Sequence, residues 1–491
     1  MTLTIKRPDR TFTQSPIAVV WGNPDELHYI DSNGEYRSGN PEEIWQELAM
    51  PQPVQRRNIR RGQSYMSRSY QKYVVVTPHK GSIKNLIRTC DARHWTGITK
   101  GSGKYHTLTH TGGPTIHRLY HDEHPEEVAK HLFAYADFLN SHGCVFRSTV
   151  TGGGLSLFKT TLDKPIKLWA PPEITEAFWP GRAEYFYDRY QLFWNMAYYD
   201  LKQAYPTALS SSPLPARWHQ TDPDKWREYP DGFSYAVAYV PPSDPLPHPL
   251  PKRLTGGKRQ AKISYASGVI SGWYPHRDLL AADELGYIVR VETTWIPDSY
   301  TEAFQSERWQ ELRQELRGLP GLAGRFGKEA DNGLWGLLGF DSTKQRKVAW
   351  TDKDATDKGE QTIANINGTR QIHGLGIAVS ATARVRQQLW QAMTATNAIY
   401  CATDGIICRP TFALDSQWIL NEEMPLVAIK DSGCYAYYSE SSPILQYKGG
   451  KERFDRHDGK AGYLEGDTET GTIPSMTMRE LYKRGYMTDA S

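Results

Sequence analysis

Residues 198–206, Tyr198-Tyr199-Asp200-Leu201-Lys202-Gln203-Ala204-Tyr205-Pro206, decide how the rest of the chain is read. The apolar and aromatic residues before Asp200 read as a strand that ends on an acid. A tight turn follows. Tyr205 stands five residues beyond the acid, and Pro206 fixes the chain just after it. A second acid, Asp404, lies in Tyr400-Cys401-Ala402-Thr403-Asp404-Gly405, at the tip of a hairpin predicted between NAIYC and GIIC. Between the two comes Lys328-Glu329-Ala330-Asp331-Asn332-Gly333-Leu334-Trp335-Gly336. On a helix, Lys328, Asn332, Trp335 and Gly336 share one face, which gathers an ammonium, an amide, a large ring and a bare backbone.

Two acids from separate strands and a lysine on a helix make up the parts of two-metal phosphoryl transfer. Paired Mg²⁺ or Mn²⁺ ions need carboxylates, here Asp200 and Asp404, and hold the attacking and leaving oxygens in line. The catalytic lysine, Lys328, then neutralises charge on a triphosphate. Each motif alone is commonplace: a turn, a solvated helix face, a hairpin tip. Their specificity lies in occurring together in this order.

In that order the chain resembles the family B DNA polymerases, whose motifs are Asp-x-x-Ser-Leu-Tyr-Pro, Lys-x-x-x-Asn-Ser-x-Tyr-Gly and Tyr-x-Asp-Thr-Asp-Ser. Asp200, Tyr205 and Pro206 match the first motif. Lys328, Asn332 and Gly336 match the second, with Trp335 for Tyr and Gly333 for Ser. Tyr400, Thr403 and Asp404 match the third, with Ala402 for the first Asp and Gly405 for Ser. The Tyr-Cys opening looks most like the protein-primed phage subgroup. Phe178-Trp179-Pro180-Gly181-Arg182-Ala183-Glu184-Tyr185-Phe186 is similar to the family's Gly-Gly-Arg-x-Glu segment, and ISYASGVISGWYPHRDLLAADELGY resembles the stretch between the first two motifs. The resemblance spans about 145–460 and implies an α/β (α+β) right-hand fold with palm, fingers and a small thumb. It implies direct metal ligation by Asp200 and Asp404. Nucleotide contacts are expected from Tyr205, Asn332, Trp335, Arg313 and Arg317, and DNA contacts from Arg182, Tyr400, Thr403 and Lys448.

This chain departs from the family at several points. Ala402 removes one of three palm carboxylates. DSGCYAYYS offers no clear Lys-x-Tyr primer grip, and Tyr435 or Tyr437 stands in for it in part. Tyr447-Lys448-Gly449-Gly450-Lys451 is similar to a Lys-Gly segment near the family's thumb; an exposed basic turn reads equally well. Relatives carry a proofreading exonuclease at the N-terminus, which needs Asp-x-Glu on a first strand. No such motif occurs within the first fifteen residues, so the region reads as the later part of an inactive remnant converted to a basic binding surface.

Charge supports that last reading. The whole chain of 491 residues carries only +3, but residues 51–120 hold thirteen Lys/Arg against one acid, Asp91. Arg56, Arg57, Arg60 and Arg61 lead this window, and tyrosines interleave the cations in RRGQSYMSRSYQKY. Cations beside flat rings suit a nucleic-acid backbone and its bases. The alternative is a solvated basic face with no partner.

Composition sets the outer limits. With 39% hydrophobic and 23% charged residues the chain reads as an ordinary globular protein of about three domains. No run approaches about 18 apolar residues, and MTLTIKRPDRTF lacks a signal-peptide core. The five scattered cysteines form no CxxC pair, so neither a disulfide framework nor a structural zinc site is expected, and a cytoplasmic setting fits.

Along the chain, helices are predicted at 41–49, 124–141, 275–285, 301–317, 326–338 and 377–396, with short strands at 17–30. TGGGLSLF at 151–158 reads as a hinge, GLPGLAG as a linker between helices, and 210–260 as a loop-laden insertion around the strand FSYAVAYV. The expected domains are a basic remnant at 1–145, palm at 146–300 and 346–425, fingers at 301–345 and thumb at 426–491. The expected activity is template-directed addition of dNTPs to a 3′ hydroxyl without proofreading, on a DNA template and primer, with a terminal or accessory replication protein as a further partner and no membrane. Two alternatives stand beside it: priming, protein-primed or terminal nucleotide transfer on the same palm, and a weakened nucleic-acid-binding scaffold.

Overall fold

A computed structural model describes residues 3–5, 14–22, 26–50, 52–60, 63–71, 73–77, 95–101, 104–110, 115–118, 123–146, 149–186, 192–241, 247–254, 262–265, 267–338, 346–349, 360–363, 374–431, 434–439 and 442–448. Two compact units emerge: Met1–Ala170 with Thr301–Gly376, and Pro171–Tyr300 with Ile377–Ser491.

The first unit is built on a nine-stranded sheet. Ile17–Gly22, Leu27–Asp31 and Tyr36–Gly39 form an antiparallel meander. Val74–Thr77 extends it in parallel beside Ile17–Gly22, and Thr115–Arg118 lies parallel beside Val74–Thr77. Ile17, Ala18, Val19 and Val20 are all buried, as a strand covered on both faces requires. The Pro41–Ala49 helix presents Ile44, Trp45 and Leu48 to a core of Ala18, Val20, Leu27, Tyr29, Tyr73 and Val75. The Ile17–Gly22 strand contains no acid. Asp31 is buried but engaged: it accepts from the Tyr73 hydroxyl at 3.0 Å and from the Asn33 and Glu35 amides at 2.9 and 3.0 Å.

The basic window contributes a long hairpin. Gln52–Arg60 pairs antiparallel with Gln63–Gln71, from Gln52↔Gln71 to Arg60↔Gln63. Arg56, Arg57 and Arg60 lie in its first strand, and Arg61 falls outside the described residues.

The helices of this unit correct two readings. TGGGLSLF is no hinge: it lies in the Val150–Thr160 helix, capped by Thr149, whose Oγ1 accepts from the Gly152 amide at 3.1 Å. GLAG is no linker but the first turn of the Gly321–Leu338 helix. Glycine in a helix costs about 1 kcal/mol against alanine. Here close packing explains it: a Cβ on Gly154 would stand 2.6 Å from the Ala330 carbonyl, and one on Gly333 would strike Thr151. The Val150–Thr160 helix, expected within the palm, thus belongs to the first unit.

In the second unit, a seven-stranded antiparallel sheet runs in the order Ala183–Tyr185, Tyr400–Ala402, Gly405–Cys408, Leu192–Leu201, Trp418–Asp431, Cys434–Ser439, Ser442–Lys448. The period of two along the central strand separates its faces. Ala197 and Tyr199 pack with Leu389, Trp390 and Met393 of the Leu375–Thr396 helix. Met196 and Tyr198 pack with Ile399, Tyr400, Ile407 and Val427. A second sheet combines Leu214–Thr221, Ile288–Thr301, Phe233–Val240 and Gly268–Pro275. The described residues of the proline-rich 210–260 segment hold more regular structure than its composition suggests. It supplies the Leu214–Thr221 edge strand, where a proline costs no interior ladder bond, and a 3₁₀ helix at Pro223–Glu228.

Behind this sheet, His276 is fully buried. Its Nδ1 donates to the Tyr229 carbonyl at 2.6 Å, so Nε2 accepts from the Ser234 hydroxyl at 2.7 Å. Burial pushes the imidazole down to about 4, from 6.5. The unfolded chain therefore binds a proton that the folded one refuses as pH falls through 6.5 toward 4. His276 is expected to cost about 2–3 kcal/mol of stability across that window at about 1.4 kcal/mol per pH unit. Denaturant midpoints of the native chain should fall between pH 7 and 4.5 by more than those of His276→Gln. Parallel pH profiles would contradict this.

Candidate active site

The central strand Leu192–Leu201 delivers Asp200 next to the hairpin that carries Asp404. Asp200 pairs in register with Gly405, and the Leu201 amide donates to the Asp404 carbonyl at 2.7 Å. The hairpin tip is tight. The Asp404 amide donates to the Ala402 carbonyl at 2.6 Å, closing a γ-turn around Thr403, whose φ is +59°. A β-branched residue in that region stores about 1–3 kcal/mol of strain. It is held there by the Arg182 carbonyl, which accepts from the Thr403 amide at 2.6 Å. Gln203, at φ +50°, turns the chain from Asp200 into the Ala204–Ser210 helix, on which Tyr205 is the second residue.

The side chains converge on the acids. Burial raises the Tyr198 hydroxyl above the usual phenol range, as do the carboxylates of Asp200 and Asp404 and a hydrogen bond to Asp200. Burial and Asp404 raise Tyr205, against the opposing pull of Arg386. Both phenols therefore stay neutral beside the carboxylates. Gly181 closes the cluster: a Cβ there would lie 2.8 Å from the Thr403 methyl and 3.1 Å from the Tyr205 hydroxyl. Ala402 sits half-buried against the Tyr198–Tyr400 cluster. Among the described residues, no group of three or more His, Cys, Asp or Glu is placed to hold a metal.

Buried ion pairs fix this frame. Arg384 donates to the carbonyls of Ala208, Ser212 and Pro213 at 3.1, 3.0 and 2.8 Å, and to Asp231 at 3.0 Å, and so clamps the end of the Tyr205 helix. Arg386 pairs with Asp278 and donates to the Trp179 carbonyl at 2.8 Å. Neither arginine was singled out from sequence, although Arg-x-Arg inside the apolar helix LGIAVSATARVRQQLWQAM was a visible sign of charges that need buried partners.

Two expected DNA contacts are placed otherwise. Arg182 is buried; it donates to the His248 carbonyl at 2.9 Å and stacks over Tyr265 at 3.8 Å. Its main chain serves the Thr403 turn. Tyr400 is 1% exposed and packs beside Tyr198 in the sheet core. Lys448 ends the Ser442–Lys448 strand opposite Tyr435.

In the first unit, the Gly321–Leu338 helix leaves Lys328 and Gly336 exposed and Asn332 and Trp335 half-buried, while Phe326, Ala330, Asp331 and Leu334 face inward. Arg313, expected to hold nucleotide, is 6% exposed and donates to both oxygens of buried Asp331 at 3.2 Å and to Gln310 at 2.7 Å. Its guanidinium joins the Glu307–Arg317 helix to the next. Arg317 shares Asp331 at 2.7 Å and also reaches Asn332 at 3.4 Å.

No family model and no curated protein matches the sequence. Solved structures match its fold. The chain folds like phi29 DNA polymerase. Against that polymerase in complex with primer-template DNA and incoming nucleotide substrates, the TM-score is 0.60, with 13% identity over 97% of this chain and 94% of that one. Its orthorhombic crystal form gives 0.57 over 96% and 93%, and its binary complex with primer-template DNA gives 0.58 over 90% and 93%, each at 13% identity. The α/β fold class expected from the sequence is thereby shown. No helix among the described residues is long and apolar enough to cross a membrane.

Proposed function

We propose that this chain is a template-directed DNA polymerase, adding dNTPs to a 3′ hydroxyl without proofreading. One observation carries the reading: Asp200, on the central strand, pairs with Gly405 and so stands beside Asp404 at the tip of the adjoining hairpin, with Tyr205 on the helix that follows Asp200. The phi29-like fold supports it.

Asp200 and Asp404 would hold Mg²⁺ or Mn²⁺. Two carboxylates fit such hard ions, which keep waters and take further oxygens from substrate phosphates. When bound, the ions supply charge stabilisation for the attacking and leaving oxygens. The protein's own residues orient the reactants. In the second unit Tyr205 is assigned to the sugar of the incoming nucleotide; in the first unit Lys328 is assigned to the triphosphate, and Asn332, Trp335 and Arg317 to nucleotide binding. In this reading the palm is 146–300 and 346–425, the fingers 301–345 and the thumb 426–491. Absence of proofreading is supported by the apolar strand Ile17–Gly22 and by the structural engagement of Asp31. Ala402 favours a second reading, a weakened nucleic-acid-binding scaffold. Extension of primed and unprimed templates with Mg²⁺ and dNTPs separates the readings: primed extension alone supports the polymerase, unprimed synthesis the priming alternative, and binding without synthesis the scaffold.

Sugar selection follows from Tyr205. A 2′-hydroxyl under a buried ring meets overpacking of about 1–3 kcal/mol, or about ten- to a hundredfold against ribonucleotides. Tyr205→Ala is expected to raise rNTP use relative to dNTP use by that factor in competition assays. An unchanged ratio contradicts the assignment.

The basic hairpin should bind the DNA backbone. Reversing Arg56, Arg57, Arg60 and Arg61 to Glu is expected to weaken DNA binding and to reduce the slope of log K against log salt by about 0.9 per lost phosphate contact. Equal affinity and slope would leave the hairpin a solvated face.

A further inference from the structure

Tyr198 occupies a place that the two acids define. It precedes Asp200 by two residues on the central strand, on the same face of the sheet, and its ring is buried with Met196, Tyr400, Ile407 and Val427. Gly405 is the register partner of Asp200 and the residue directly after Asp404. A Cβ on Gly405 would collide with the Tyr198 hydroxyl and stand 2.6 and 2.7 Å from its Cζ and Cε2. The phenol thus fills the space a side chain at 405 would take, and glycine there is what admits it. Its hydroxyl bonds to the Asp200 carboxylate. Ionised Asp200 has only acceptors, so the phenol is the donor. Ala402, in the same cluster, offers no polar group to orient the acids.

We propose that Tyr198 is a positioning residue, whose hydroxyl, seated in the gap left by Gly405, holds the Asp200 carboxylate in the orientation from which it and Asp404 bind a divalent cation. The inference rests on the metal-holding part of the polymerase reading. Groups that hydrogen-bond a metal-ligating carboxylate typically account for 10–100-fold in metal affinity.

The test is Mn²⁺ titration of the full chain, followed by electron paramagnetic resonance, with thermal melts alongside. Tyr198→Phe keeps the ring in its seat and removes only the hydroxyl. It should weaken Mn²⁺ about tenfold or more with little change in melting, and raise the Mg²⁺ needed for half-maximal primer extension without raising the KM for dNTP. Gly405→Ala, which displaces the hydroxyl without deleting it, should weaken Mn²⁺ as well. Equal Mn²⁺ affinity in the native chain and Tyr198→Phe, with Asp200→Asn weakened, overturns the part given to Tyr198 and leaves the acids as metal ligands. If the native chain binds no Mn²⁺, or Asp200→Asn binds it as tightly, the metal-holding reading fails and this inference falls with it.

Discussion

Asp404→Ala is expected to lower dNTP incorporation about a thousandfold, roughly 4 kcal/mol of transition-state stabilisation, while the fold persists. The main chain explains the second half of that expectation. Asp404 serves the architecture through its backbone: its carbonyl accepts from Leu201 and its amide donates to Ala402, and alanine keeps both bonds. The carboxylate alone is lost, and with it one of the two acids that meet at Tyr198. Single-turnover primer extension checks the loss, and a thermal melt beside it checks that the fold is unchanged. DNA binding should stay close to native, because nothing in the hairpin Gln52–Gln71 is altered. Synthesis near the native rate would remove Asp404 from the chemistry.

Arg384→Met is expected to destabilise the chain by about 3–5 kcal/mol, the usual cost of deleting one partner of a buried ion pair. Arg384 is 5% exposed and satisfies three carbonyls at the end of the Tyr205 helix, besides Asp231. Without it those carbonyls lose this donor, and among the described residues Asp231 keeps Arg277, at 3.2 Å. The helix that places Tyr205 would lose its anchor, so nucleotide selection should degrade along with stability. Lysine cannot reproduce the planar fork, so Arg384→Lys should recover only part of the loss. Urea unfolding of the three proteins measures this directly. A midpoint for Arg384→Met equal to the native one would show that the clamp contributes nothing.

Much of the site was legible because its signals are local. An apolar strand ending on Asp200 and a turn before Tyr205 can be read from nine residues, as can the hairpin around Asp404; the short helix that carries Tyr205 was not legible. The fold class was legible because these motifs occur in one order. What escaped reading was set by contacts distant in sequence. Glycines 152–154 look like a hinge until Ala330 is seen against Gly154. Arg313 resembles a phosphate ligand until its partner Asp331, 18 residues away, is seen beside it. Tyr400 looks available to DNA until the sheet buries it with Tyr198 and Val427. Tyr198 itself could have been found: the period of two places it with Asp200, and a glycine after Asp404 marks where its ring goes.

Template direction tests the central claim most directly. The native chain, a primed template with one defined unpaired base, and each dNTP alone with Mg²⁺ form the whole experiment. If Asp200, Asp404 and Tyr205 form the nucleotidyl-transfer site of a DNA polymerase, only the complementary dNTP is added efficiently, and changing the template base changes which one. Addition indifferent to the template, or no addition under conditions where the chain binds the primed DNA, contradicts the account.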